Sequence, residues 1–344
     1  IARHAGNPKL DWLGYPSHGG HAELRASIAA YLRIARGIQC DAAQVLITNS
    51  THQSLQLVAY LLAESGERVW LENPGYTGAR GIFDAAGLKI ISQPVDYEGL
   101  APAADQWQHP PRLIYTTPSH QYPTGVVMSA ARRRSLLASA ALYKTWILED
   151  DYDSEFRYSG PPLSALHALS PNQVIYFGTF SKILFPALRI AYLVLPENLV
   201  DDFRRTQARH HREPSYMKQN ALADFMRDGH MGGHISKMRR EYHIRRDLLI
   251  TLLRNNLGDV VELSGVDTGL HLVIYLPPHV NERVLESKLY ERGIVARALG
   301  RYYDSAASML QQRAGLLIGF GNTDQADIKR AGEVLTQTIQ QMLL

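Results

Sequence analysis

Between residues 40 and 196, short apolar runs alternate with stretches of helical spacing. That alternation narrows the available folds more than any other feature of the chain. Val45–Thr48, Arg68–Glu72, Lys89–Gln93, Arg112–Thr116, Trp146–Glu149, Val174–Phe177 and Ile190–Leu195 read as strands. Helices are expected over Leu24–Ile34, from Asn49 to about Ala63, over Gly78–Ala86 and from Ser129 to Tyr143. In the first of these, Leu24, Ile28, Tyr31 and Leu32 share one helical face. Strands separated by helices predict an α/β fold, a mostly parallel sheet with helices on both faces. Such sheets bind ligands beyond the carboxyl ends of their strands.

Chemistry-bearing side chains fall at those ends. Thr51, Tyr76, His120, Asp150, Thr179 and Lys182 each follow a strand. Lys182 stands among Phe180, Ile183, Leu184 and Phe185. Apolar company of that kind is expected to desolvate the ammonium and free the amine for imine chemistry. Thr179 and Arg189 flank it, one offering a hydroxyl to a phosphate and the other a bidentate fork. A lysine between two phosphate-binding groups is what pyridoxal 5′-phosphate requires. Ser50, Thr51 and His52 open a helix, where free amides and hydroxyls bind anions. Asp150 is the candidate carboxylate for the pyridine nitrogen, Tyr76 for stacking on the ring, and Tyr152 for the ring oxygen. Each residue also has a plainer reading. Lys182 can snorkel to water, Ser50 and Thr51 can be an ordinary helix cap, and Asp150, Asp151 and Asp153 can form a solvated turn. No metal-ligating set is read.

Past Glu197 the pattern changes. Leu199–Arg212, Met217–Arg227 and a long charged stretch from Ile235 to about Arg254 read as helices. Val260–Leu263, Leu270–Tyr275 and Leu316–Phe320 read as strands, and Asn281–Glu291 and Asp324–Met342 as helices. This predicts a smaller α+β lobe. The expected division is an N-terminal arm and helix over 1–40, a large cofactor-binding domain over 41–205, and a small domain with connecting helices over 206–344. A length of 344 residues suits two unequal lobes. The single cysteine, Cys40, excludes a disulfide within the chain and fits a reducing cytoplasm. No run is long and uncharged enough to span a bilayer. A net charge of +3 is no argument for nucleic acid by itself. Arg204, Arg205, Arg209, Arg212, Lys237, Arg239, Arg240, Arg245 and Arg246 form either solvated helix faces or an auxiliary surface for DNA phosphates.

Several strings together resemble the fold-type I enzymes of pyridoxal phosphate, the aspartate aminotransferase superfamily. They are Ala35–Cys40, Glu72-Asn-Pro-Gly-Tyr76, Thr117-Pro-Ser-His-Gln-Tyr-Pro-Thr-Gly125, Glu149-Asp-Asp-Tyr-Asp-Ser-Glu-Phe156 and Thr179-Phe-Ser-Lys182 with Arg189. The Ser-His-Gln and Glu-Asp-Asp-Tyr-Asp strings resemble more narrowly the aminotransferase-like domain of MocR-type regulators of the GntR family. That resemblance covers nearly the whole chain, from Tyr15 to the last helix. It implies that Lys182 holds the cofactor as an internal aldimine, with Asp150 at the pyridine nitrogen and Tyr152 near the ring oxygen. It further implies that Tyr76 stacks, and that Thr51, Thr179 and Arg189 hold the phosphate. Tyr15 would reach the phosphate of a neighbouring subunit, in a homodimer with shared sites. A DNA-binding winged helix is expected upstream, which would explain the start at Ile1. The implied role is to sense the cofactor itself, or an amine that forms an external aldimine with it.

Two departures from the enzyme pattern bear on activity. Tyr122 stands where aminotransferases carry an asparagine, so His120 or Tyr152 is expected to serve the ring oxygen. Leu317 stands where they carry the arginine that clamps a substrate carboxylate. Arg297 and Arg301 are the candidates to replace it. Ordinary turnover is therefore not the expected role, and a working aminotransferase remains the alternative. A third reading, a dimerisation scaffold that has lost the cofactor, sits poorly with the near-complete set of cofactor residues.

Overall fold

The computed structural model describes residue 6 and residues 19–160, 163–210, 214–304 and 312–343. Eight strands form one sheet in the order β1-β8-β7-β6-β5-β2-β3-β4. They are β1 (Val45–Thr48), β2 (Arg68–Asn73), β3 (Lys89–Asp96), β4 (Gly99–Leu100), β5 (Leu113–Thr116), β6 (Trp146–Asp151), β7 (Val174–Thr179) and β8 (Ala191–Val194). The pairs among β3, β2, β5, β6 and β7 are parallel. β8 runs antiparallel to both β7 and β1. The carboxyl ends of β1, β2, β5, β6 and β7 therefore share one edge, and the start of β8 returns to it. The sheet is mostly parallel, with β8 and the two-residue β4 as its reversed members.

Helices α1 (Ala22–Ala35), α2 (Thr51–Leu62), α3 (Thr77–Ala85) and α4 (Ala130–Tyr143) accompany this sheet. α1 places Leu24, Ile28 and Leu32 in the same apolar cluster as Val45, Ile47 and Tyr176, so it packs on the sheet. On the other face, Leu55 and Val58 of α2 meet Leu71, Tyr115 and Phe177. Each buried side chain of this size contributes about 1.5–3 kcal/mol. Short helices α5 (Leu166–Leu169) and α6 (Phe180–Ile183) frame β7.

α7 (Val200–His210), α8 (Tyr216–Arg227) and the 28-residue α9 (His230–Leu257) connect to a second sheet. That sheet has the order β11-β12-β10-β9, from β9 (Glu262–Ser264), β10 (His271–Tyr275), β11 (Arg297–Ala298) and β12 (Gly315–Gly319). α9, α10 (Glu282–Glu291) and α11 (Gln325–Leu343) cover it through Leu253, Leu285, Leu335 and Ile339.

Much of the basic set is tied into the fold. Arg204 donates to Ala43 O at 2.7 Å, Arg239 to Glu155 O at 2.9 Å and Arg245 to Gly321 O at 2.6 Å. Arg246 donates to Val266 O at 3.0 Å and lies over the Tyr158 ring. These contacts favour helix faces over a free DNA surface. Arg212 lies outside the described residues.

Candidate functional site

The shared strand edge opens on a cavity of about 310 Å³. Ser50, Thr51 and His52 line it from the start of α2, Tyr76 from the turn after β2, and Asp150, Tyr152 and Asp153 from the end of β6. Thr179, Ser181, Lys182 and Arg189 line it from the β7–β8 connection. Ten of the expected cofactor residues thus fall in one place or touch it. His120 is the one described residue that does not line the cavity. Tyr15 lies outside the described residues. A larger cavity of about 1120 Å³, walled by Gln93, Tyr275 and Arg313, holds none of the strand-end set.

Asp150 is buried at the cavity floor. Tyr115 donates to its Oδ2 at 2.6 Å, while Oδ1 is buried with no partner. Burial raises the Asp150 carboxyl to about 7, with Asp151 and Asp153 adding to the rise and the Tyr115 hydrogen bond opposing it. A buried oxygen that lines a cavity and lacks a donor is a place for a ligand N–H. On one wall, Tyr76 and His52 meet through Nε2 and the hydroxyl at 2.8 Å. A side chain at Gly78 would collide with both, since a Cβ there would stand 2.5 Å from the Tyr76 ring and 2.6 Å from His52 Nε2. Burial, then the Asp150 charge, pushes the Tyr76 phenol up to about 12.

The phosphate-type donors gather at the other end. Ser50 caps α2 by accepting from Gln53 N at 3.3 Å, and Thr179 caps α6 by accepting from Ser181 N at 3.2 Å. The plainer capping reading therefore holds for Ser50, and Thr179 is a cap too; a capping hydroxyl retains its own proton for a ligand. Arg189 is exposed, in the left-handed region at φ 54°.

Lys182 requires a correction. The expectation was an ammonium walled by apolar side chains. In α6, Phe180 and Ile183 turn inward to the core while Lys182 is exposed. One helical turn puts residues three apart on one face, so Ser181 and Lys182 between them point away. Phe185 is 48% exposed and belongs to the rim, not to a wall around the amine.

His120 is buried behind the cavity. Its Nδ1 lies 3.0 Å from Asp153 Oδ2 and 3.0 Å from the Tyr152 hydroxyl. A proton on Nδ1 satisfies Asp153 and leaves the Tyr152 hydroxyl proton to face the cavity. His120 thus acts on the cavity through Tyr152. His271, read earlier only as part of a strand, also lines the cavity. It stands 4.5 Å from the His120 ring, centre to centre, and its Nε2 meets Pro123 O at 3.0 Å. Burial, then the charges of His120 and Lys182, holds it well below the usual imidazole range. His120, Asp153 and His271 offer three ligand atoms within 4.8 Å, but these hydrogen bonds already account for the grouping.

Tyr122 lines the cavity too, and donates to the Tyr302 hydroxyl at 3.2 Å. Its loop hangs on Glu72, which accepts from Thr116 Oγ1, Thr117 N, Thr117 Oγ1 and Gln121 Nε2. Leu317 packs with Tyr122 against Val273, Tyr275, Leu299 and Tyr302. An apolar patch therefore stands where a carboxylate clamp was sought.

The family description "Aminotransferase class I and II" matches residues 7–330. This chain belongs to that family. Its sequence relatives place it in the MocR branch. It is 36% identical to the "Probable rhizopine catabolism regulatory protein MocR" of Rhizobium meliloti, over 94% of this chain and 65% of that protein. It is 31% identical to the "HTH-type pyridoxine biosynthesis transcriptional regulator PdxR" of Corynebacterium glutamicum, over 91% of this chain and 68% of that protein. Among solved structures, the kynurenine aminotransferase of Pyrococcus horikoshii, crystallised with PMP, superposes with a TM-score of 0.88 at 25% identity, over 100% of this chain and 86% of that one. The chain spans 65% of the length of the first two curated relatives. The cofactor of this aminotransferase-like domain is pyridoxal 5′-phosphate. The residues present fit it: an unpaired buried carboxylate oxygen for a ring N–H, hydroxyls and an arginine for a phosphate, and an accessible amine. No helix among the described residues is long and apolar enough to cross a membrane.

Proposed function

We propose that the chain is the effector-sensing and dimerisation domain of a MocR-type transcriptional regulator. In this reading Lys182 holds the cofactor aldehyde, and Asp150 Oδ1 accepts from the pyridine nitrogen. Tyr76 covers one ring face, and Tyr152, positioned by His120, donates to the ring oxygen. Ser50, Thr51, Thr179 and Arg189 hold the phosphate, with His52 buttressing Tyr76. Bound there, the cofactor would supply an aldehyde carbon reactive toward primary amines. The signal is the cofactor itself or such an amine. A ligand shifts the arrangement of the attached DNA-binding domains only through unequal affinity for two states. The exposed rim of Phe185 and Arg189 is a surface that a second copy would cover.

The observation that carries this reading is the contrast between a cavity lined by nine of the expected cofactor residues and an apolar residue, Leu317, at the position expected for the clamp. A sensor needs the first and not the second. The test is the visible spectrum of the purified domain with pyridoxal phosphate, followed by titration with amines. A band that requires Lys182, and that shifts with an amine without decaying, is the expected result. Decay of the band to the amino form of the cofactor would instead make the domain an aminotransferase. Lys182→Ala retaining the lysine-type band would overturn the site.

A further inference from the structure

We infer that Arg36 is a positioning residue for the cofactor: from the far face of the large sheet it sets the Asp150 carboxylate and the His120–Tyr152 pair. The inference rests on the cofactor reading above and goes beyond it, because Arg36 is not among the residues that line the cavity.

Strand alternation separates the two faces. Asp150 opens on the cavity, while Glu149 and Asp151 on either side of it leave β6 on the opposite face. α1 packs on that opposite face, in the apolar cluster that holds Tyr176. The residue that caps the carboxyl end of α1 is Arg36, buried at 8% exposure. Its Nε lies 2.6 Å from Asp151 Oδ2 in an ion pair, and the Tyr176 hydroxyl donates to the same oxygen at 2.7 Å. Its Nη2 donates to Ser119 Oγ at 2.7 Å. One guanidinium thus joins the residue that follows Asp150 to the residue that precedes His120.

The two attachments fix different parts of the site. Asp151 holds the end of the strand that carries Asp150. Ser119 holds the loop whose His120 meets the Tyr152 hydroxyl through Nδ1. Arg133 of α4 braces that loop separately, donating to Pro118 O at 2.7 Å and Met128 O at 3.1 Å. The loop therefore keeps a buried anchor when the Arg36 contact is lost. A planar fork reaches two acceptors at once, which the point charge of a lysine does not reproduce. Removing the guanidinium leaves Asp151 as a buried charge without its cation. That charge acts on Asp150, whose carboxyl Asp151 already helps to raise.

The test compares Arg36→Gln, Arg36→Lys and Ser119→Ala with Ile28→Ala, a control that thins the apolar packing of α1 on the same face. Urea midpoints report stability. Equilibrium dialysis reports affinity for pyridoxal phosphate, and the pH midpoint of the visible band reports the electrostatics of the loaded site. Arg36→Gln should weaken cofactor binding about tenfold. It should also raise the pH midpoint of the band, since an uncompensated carboxylate favours protonated forms nearby. Arg36→Lys should restore the pH midpoint by keeping the charge, but only part of the affinity. Ser119→Ala should lower affinity with the pH midpoint unchanged. Ile28→Ala should lower the urea midpoint and leave both cofactor readouts at wild-type values. Wild-type cofactor readouts in Arg36→Gln, or an equal change in Ile28→Ala at equal loss of stability, would make Arg36 a structural residue only and overturn the inference. If Arg36→Gln does not fold, Arg36→Lys and Ser119→Ala decide: wild-type affinity in both overturns the inference, and weakened affinity in both, with Ile28→Ala unaffected, supports it. If the wild-type domain binds no pyridoxal phosphate, the cofactor reading itself fails and the inference falls with it.

Discussion

The Tyr115 hydroxyl donates to Oδ2 of Asp150 at 2.6 Å and leaves Oδ1 buried and unpaired. This one contact orients the carboxylate and keeps its second oxygen for the cavity. Burial raises the carboxyl to about 7 against an ordinary value of 3.8. Without cofactor, the folded chain therefore keeps a proton on Asp150 that the unfolded chain has released. Stability from this residue is complete below about pH 4 and declines as the pH rises toward 7. Asp150→Asn removes that decline. The variant should gain on the wild type between pH 4 and 8, by at most roughly 4 kcal/mol. Urea midpoints of both cofactor-free proteins across that range check the sign. With cofactor, the order reverses: Asp150→Asn should retain pyridoxal phosphate about tenfold less well, measured by equilibrium dialysis.

Glu72 holds the loop that carries Tyr122, through four hydrogen bonds from Thr116, Thr117 and Gln121. It is buried, and burial raises its carboxyl, while those donors pull the other way. Glu72→Ala leaves the donors without an acceptor. The expected cost is about 3–5 kcal/mol, read from urea unfolding of the cofactor-free domain. Glu72→Gln keeps the shape but points an amide N–H₂ toward hydroxyl donors, which can rotate to accept from it. It should cost less than half as much.

The strand-to-helix rhythm made the large sheet legible, and with it the edge where most of the site gathers. The reversed direction of β8 was not legible, because an apolar run looks the same in either direction. β4 and β11 have two residues each, too few to show a period. At Lys182 the neighbours in sequence are not the neighbours in space. In the single turn of α6, Phe180 and Ile183 face inward and Lys182 faces out. Tyr115 and His271 were missed because both lie within buried strands, where an aromatic or a lone histidine reads as core. Only the docking of the small sheet on the 117–125 loop brings His271 to the cavity, and no local pattern encodes that contact.

That docking predicts the next outcome. Ser264 Oγ donates to Thr124 O at 2.7 Å, His271 Nε2 meets Pro123 O at 3.0 Å, and Gly125 lies against Gly265. Gly125 has φ +76°, and a Cβ there would sit 2.3 Å from the Gly265 Cα. The obstacle is backbone, which cannot rotate aside. Gly125→Ala should cost about 2 kcal/mol or more in urea unfolding, through strain and loss of the contact. It should also speed proteolysis of the cofactor-free domain between residues 117 and 125. Unchanged stability would mean that the two lobes meet differently in solution.

Leu317→Arg restores the cation that aminotransferases carry at this strand position. The new guanidinium would leave the apolar cluster of Val273, Leu299 and Tyr302 and stand directly across from Arg297. Like charges on opposed strand positions repel. The substitution should therefore lower stability by about 1–2 kcal/mol, while binding short amino acids about tenfold more tightly by the visible-band titration. Adding Arg297→Gln should recover part of the stability, and a double-mutant cycle gives the coupling. Positive coupling would show that the two side chains share one face and one field. Strict additivity would mean that the two side chains do not interact across the strands.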